Sequence, residues 1–217
     1  MKTLWLSLVC ALALPAFAPA DAVDDYVEAQ RAKQKIPGVS VAICRDGEVV
    51  KAAGYGLANV ELEVPAKPET VFQSGSVGKQ FTAMAVMMLV EEGKLDLSDP
   101  LPRHFPGAPR AWKDITVRHL LTHTSGLVRE PQGLQLKAQS EMDAIRSGYA
   151  LPLAFAPSEK WQYSNLGYFV LAEVISRAAQ MPWTRYLRER LFAPLGMNAT
   201  RTTSADDVVP HRANDYH

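Results

Sequence analysis

Ser76-Val77-Gly78-Lys79 places a hydroxyl and an amine three residues apart, a spacing that sets two side chains on one face at the start of a helix. A serine hydroxyl is a weak nucleophile until a neighbouring group takes its proton, and an adjacent amine can accept or relay it. The pattern is unspecific alone: chains of this length meet Ser-x-x-Lys by chance, and this one holds a single copy. Read by itself it equally fits a helix-capping serine followed by a lysine that lays its stem on apolar surface. Downstream, Tyr163-Ser164-Asn165 supplies a phenol and an amide. A free tyrosine has a pKa of about 10, and bringing it to about 7 needs about 4 kcal/mol of favourable charge interaction. Lys79 is the nearest candidate source of that charge. The plain reading of the same three residues is a loop aromatic and a helix cap.

The elements that must position these groups follow from the pattern of apolar residues. Val77 to Glu92 reads as a helix that is apolar nearly all round, with Phe81, Met84, Val86, Met87, Met88 and Leu89, and such a helix is normally buried. Gly93 stands where a left-handed residue closes a helix. Ser76 then lies at the helix N-terminus, where backbone N–H groups favour a developing oxyanion. Desolvation disfavours a charged amine, so a lysine one turn on, in largely apolar surroundings, could relay the serine proton. Ser164 or Asn165 caps a strong apolar helix to about Ala179, and Pro182 starts another to Leu191. Thr116 caps a short helix through Leu121, and Ser140 to Ser147 is a weak one. Before all of these come a polar helix, Asp24 to Gln34, and two apolar runs, Val39 to Cys44 and Glu48 to Tyr55. Arg45-Asp46-Gly47 joins the runs, and Asp-Gly between apolar segments predicts a hairpin. Val39, Val41 and Ile43 point to one face, which needs cover. Pro65 to Gln73 and Pro100 to Pro109 read as connections. After Leu195-Gly196-Met197 the chain turns polar, with no closing element expected.

Bulk properties narrow the function classes. Of 217 residues, 23 are basic and 23 acidic, so nothing points to nucleic acid or an anionic membrane surface. Residues 1–22 read as an export signal: Lys2, an apolar run from Leu4 to Phe17, and small residues that allow cleavage after Ala20 or Ala22. The run is short for a membrane span, so no stable span is expected once the signal is removed, and the location is periplasmic or secreted. The mature chain keeps one cysteine, Cys44, read as a packed small side chain in a strand. His119-Leu120-Leu121-Thr122-His123 has helical spacing for a metal but lacks the glutamate of a metalloprotease helix, so no metal and no cofactor is expected. Ser125 lies close after His123, yet near neighbours in a chain seldom form a catalytic pair. Gly-x-Ser-x-Gly is absent, and strands do not alternate with helices, which argues against an α/β-hydrolase.

Four spaced stretches in order, Phe72 to Leu95, Ile115 to Leu127, Trp161 to Ile175 and Leu191 to Met197, resemble the penicillin-recognising serine hydrolases. These are the class C β-lactamases, the D-alanyl-D-alanine carboxypeptidases and related esterases. The resemblance runs over roughly residues 25 to 200. It implies a β-lactamase/transpeptidase-like α/β fold of the α+β type, an antiparallel sheet packed with helices, as one domain over residues 23–217. It also implies Ser76 as acylated nucleophile, Lys79 as its proton partner, Tyr163 as general base or acid, and Asn165 as the group that meets the substrate's amide and holds Lys79. The partner would be a small-molecule or peptide substrate bearing an amide, lactam or ester.

The sequence also departs from that family. Ser158 follows Pro157 where relatives often carry glycine, and Gly78 weakens the helix start. The larger departure is a third motif, Lys-Thr-Gly or His-x-Gly on a late strand, which relatives carry and this sequence does not contain. The domain is therefore expected to be C-terminally incomplete, lacking the last strands. Poor activity, or a non-catalytic relic that keeps the fold and binds ligand, stands as the alternative to an active hydrolase.

Overall fold

The computed structural model describes residues 21–130, 141–204 and 207–216. The expected export signal, apart from Asp21 and Ala22, and the segment after Glu130 lie outside them. The chain divides into two units, Met1–Phe72 with Val209–His217, and Gln73–Val208.

In the first unit α1 (Ala22–Gln34) begins two residues before the expected point because Asp21 caps it. The Asp21 carboxylate accepts from the Val23 and Asp24 N–H groups, and Asp24 returns a bond to the Asp21 N–H, a reciprocal capping box. Cleavage after Ala20 would keep this cap, and cleavage after Ala22 would remove it. The predicted hairpin is present: β1 (Gly38–Arg45) pairs antiparallel with β2 (Glu48–Asn59), and the short β3 (Val64–Pro65) adds to β2. Asp46 and Gly47 both have left-handed backbones, as a two-residue turn matching strand twist requires. Lys51 on β2 bridges Asp21 at 2.9 Å and Asp24 at 2.7 Å, and the Tyr55 hydroxyl donates to Asp24 at 2.6 Å, which fastens α1 to the hairpin.

Two expectations fail in this unit. Cys44 is exposed rather than packed; it falls on the strand face opposite Val41 and Ile43, next to a register shift in the β1–β2 pairing. The polar tail does have a closing contact. Val71 and Arg212 form a bridge, the Ala213 N–H donates to the Val71 carbonyl at 2.9 Å, and Ala213 is buried with Ala58 and Ala66. The Tyr216 hydroxyl accepts from the Val60 N–H at 2.7 Å.

The second unit is helical and packs around α6 (Asn165–Ala179). Leu166, Val170, Leu171, Val174 and Ile175 form the buried stripe of α6, spaced as a helix face demands. Against it lie α2 (Lys79–Glu91), α3 (Leu101–His104), α4 (Val117–Leu121), α5 (Glu141–Ser147) and α7 (Trp183–Leu187). The caps follow the sequence: Thr116 for α4, Ser164 for α6 and Pro182 for α7, which runs on as a single wide turn, Arg188–Phe192. Gly93 closes α2 with a left-handed backbone, and the Gly93 and Lys94 N–H groups return to Val90 and Leu89. The proline-rich connection is not all loop, since α3 forms inside it with Pro102 in its first turn.

α2 departs from expectation in two ways. It starts at Lys79 rather than Val77, and Gly75–Gly78 ahead of it form a tighter 3-10 turn. Thr82, Ala85, Val86 and Leu89 are buried toward α6 and α7, but Met84 and Met87 are 50% and 45% exposed, so the helix is buried along one face only.

Candidate active site

Ser76 sits in the Gly75–Gly78 turn and Lys79 opens α2. In a 3-10 turn residues three apart eclipse, which brings Lys79 Nζ to 3.4 Å from Ser76 Oγ. Tyr163 lies in the extended segment ahead of α6, and its hydroxyl is 2.5 Å from Ser76 Oγ. Asn165 is the first residue of α6; its position is fixed by Ser164 Oγ, which accepts the Gly167 N–H at 3.0 Å and donates to the Val128 carbonyl at 2.8 Å. Asn165 Oδ1 then accepts from Lys79 Nζ at 2.7 Å. All four residues singled out by spacing and resemblance therefore meet in one place, Ser76 exposed and the other three half-buried.

Three further residues surround them. Asn165 Nδ2 donates to Glu130, which fixes which end of the amide faces Lys79. The Arg129 guanidinium lies 5.6 Å from the centre of the Tyr163 ring, and Lys79 Nζ lies 4.9 Å from it. The His123 ring faces the Tyr163 ring at 4.6 Å. Glu130, Arg129 and His123 carry no local signal for these contacts, since their partners are 34 to 40 residues away.

Burial acts on the Tyr163 phenol most strongly and pushes its pKa up. The Lys79 and Ser76 hydrogen bonds and the charges of Lys79 and Arg129 oppose this, and together they hold the phenol below the ordinary tyrosine value. This is the environment a phenolate proton acceptor needs.

The alternatives read from the sequence separate in space. His119 Nδ1 accepts the Thr116 N–H at 3.1 Å and its Nε2 meets Ser158 Oγ at 2.7 Å, whereas His123 Nδ1 accepts the Ser164 N–H at 3.2 Å. Ser125 is buried, and its hydroxyl accepts the Leu127 N–H at 3.2 Å. Ser158 occupies a left-handed position with φ 71°, the reason glycine would suit it, and spends its hydroxyl on His119.

The family model for β-lactamases matches residues 23–217, and the chain belongs to that family of serine β-lactamases and penicillin-binding proteins. Its fold is the β-lactamase/transpeptidase-like one, of helices and an antiparallel sheet. A penicillin-binding protein of Bacillus subtilis (strain 168) is 32% identical over 189 residues, covering 82% of this chain and 40% of that protein. The octameric penicillin-binding protein homologue from Pyrococcus abyssi is 31% identical with a TM-score of 0.77, covering 88% of this chain and 46% of that one. The D-amino acid amidase from Ochrobactrum anthropi SV3, solved with L-phenylalanine, is 28% identical with a TM-score of 0.76, covering 85% and 52%. The chain thus spans about half the length of these relatives.

Proposed function

We propose that this chain carries the nucleophile and proton-transfer groups of a serine hydrolase that cleaves an amide, lactam or ester through an acyl-serine intermediate. One observation carries the reading: Ser76 Oγ lies within hydrogen-bond reach of the Tyr163 hydroxyl, and Lys79 Nζ bridges from Ser76 toward Asn165.

Ser76 Oγ adds to the substrate's carbonyl carbon while its proton passes to the Tyr163 phenolate. The carbonyl oxygen becomes an oxyanion, met by the Ser76 N–H at the head of the turn leading into α2. When the C–N or C–O bond breaks, the departing amine or alkoxide takes the proton back from Tyr163. Water then adds to the acyl-serine with the same proton acceptor, releasing the acid and restoring the Ser76 hydroxyl. Lys79 stands beside the phenolate, and Asn165 holds it. The second lone pair of Asn165 Oδ1 can accept an N–H from the substrate's amide.

The substrate class is a small molecule or peptide. Esterase or peptidase-like work ranks above true β-lactamase action, in keeping with an amidase among the structural relatives. The chain would act in the periplasm or outside the cell after export; among the described residues no helix is long and apolar enough to cross a membrane. The sequence contains no Lys-Thr-Gly or His-x-Gly, which in relatives lines the site and supplies the second oxyanion N–H. Loss of one such donor costs about 3–4 kcal/mol, a hundredfold or more in rate, so this chain by itself is expected to turn over slowly. The alternative reading is a non-catalytic, ligand-binding member of the same fold.

Hydrolysis of a p-nitrophenyl ester, D-phenylalanine amide and a chromogenic cephalosporin separates the two. Slow hydrolysis of at least one that Ser76→Ala abolishes supports the hydrolase. Folded protein that hydrolyses none, or that does so equally well as Ser76→Ala, overturns it.

A further inference from the structure

His123 occupies the position that closes α4. Its N–H returns to the Leu120 carbonyl at 3.3 Å and the Thr124 N–H returns to the His119 carbonyl at 2.9 Å, the two bonds of a left-handed helix end. Its φ is 58°, so glycine would suit the turn better. The turn alone therefore does not account for an imidazole here.

The rest of the residue is committed to Tyr163. The His123 carbonyl accepts the Gln162 N–H at 2.9 Å, and His123 Nδ1 accepts the Ser164 N–H at 3.2 Å. One residue thus grips the backbone on both sides of Tyr163. Its ring also lies against the Tyr163 ring at 4.6 Å, tilted by 35°, with Tyr168 at 5.2 Å and the edge of Trp161 at 6.0 Å. Nδ1 as acceptor requires the neutral ring with its proton on Nε2. Burial, and then the charge of Lys79, favour that neutral form.

We infer that His123 is a positioning residue for the proton-transfer step: it clamps the 162–164 segment so that the Tyr163 hydroxyl stays on Ser76 and its ring stays beside Lys79. This rests on the hydrolase reading above and names a further residue of that site. A purely structural turn residue would be improved by glycine, whereas the imidazole's share of the clamp, the bond to the Ser164 N–H and the contact with the Tyr163 ring, would be lost with it, and the two roles separate on that point.

The test compares H123G and H123N with the unaltered chain in thermal midpoint, in the rate of Ser76 acylation by a fluorophosphonate, and in the Tyr163 titration followed by NMR of carbon-labelled tyrosine. H123G is expected to keep a cooperative thermal transition, to slow acylation about 10- to 100-fold, and to titrate Tyr163 at higher pH. H123N tolerates a left-handed backbone and keeps an acceptor near Nδ1, so it should recover part of both losses. Acylation at the unaltered rate with an unmoved Tyr163 titration in H123G overturns the inference. So does failure of H123G to fold, since the imidazole would then serve the packing of the fold rather than the placement of Tyr163. If the unaltered chain is never acylated, the hydrolase reading falls, and the Tyr163 titration alone decides whether His123 is the clamp.

Discussion

In the proposed mechanism Tyr163 takes the proton of Ser76 as a phenolate, so its titration would set the pH range in which Ser76 reacts. Burial pushes the phenol up, but Lys79, Ser76 and Arg129 outweigh it and leave the group below the ordinary tyrosine value. The rate of Ser76 acylation should therefore rise with pH as Tyr163 ionises and level off below pH 10. Lys79→Met removes the hydrogen bond and the charge that favour the phenolate. It should move the rising limb to higher pH and lower the plateau about 10²- to 10⁴-fold, read from the pH dependence of acylation. A profile unchanged in position after Lys79→Met would remove Lys79 from this role. At this scale the proximity of Ser76 and Lys79 was legible because a three-residue spacing on a helix or 3-10 turn is a local geometric fact, while its chemistry was not, since the pattern alone fits a cap and a surface lysine as well. Tyr163 and Asn165 became legible only through their resemblance to a family motif. Glu130 and His123 were not, because a hydrogen bond to a residue 35 or 41 positions away leaves no period in the sequence.

Elements place these residues through their ends. The turn at Ser125-Gly126-Leu127 returns the chain from α4 toward the segment leading into α6, and Gly126 is its tightest point. Its φ is 76°, and a Cβ there would stand 2.1 Å from the Phe155 carbonyl oxygen, whose chain also receives the Gly126 carbonyl through the Ala154 N–H at 2.8 Å. Gly126→Ala should cost about 2–4 kcal/mol from the left-handed backbone and the collision together, read as a lower denaturant midpoint with an unchanged slope. A shift of less than about 0.5 kcal/mol would show that the turn can open without loss. Most element ends were legible for chemical reasons: Asp46-Gly47 for the hairpin, Thr116 and Ser164 as caps, Gly93 as a stop. The burial of α2 was not, because Met84 and Met87 extend its apolar pattern onto a face that the described residues leave exposed. A hydrophobic residue reports what it could bury against, and the partner has to be found elsewhere.

At the scale of the molecule, the order of a helix, a hairpin and then mostly helices was legible from the switch in apolar period. The return of the tail was not, since Ala213 buries beside Ala58 and Ala66 through one small side chain in a polar stretch. Ser76, Lys79, Tyr163, Asn165, His123 and Glu130 all belong to the unit Gln73–Val208, so the proposed nucleophile and its proposed proton acceptor share one compact unit. The central claim is that this unit activates Ser76. Its most direct test is the mass of the folded protein after treatment with a fluorophosphonate or a fluorescent penicillin, followed by peptide mapping. A single adduct on Ser76, lost in Ser76→Ala and strongly slowed in Lys79→Ala, is the predicted result. Folded protein with no adduct, or with one at any other residue, would contradict it.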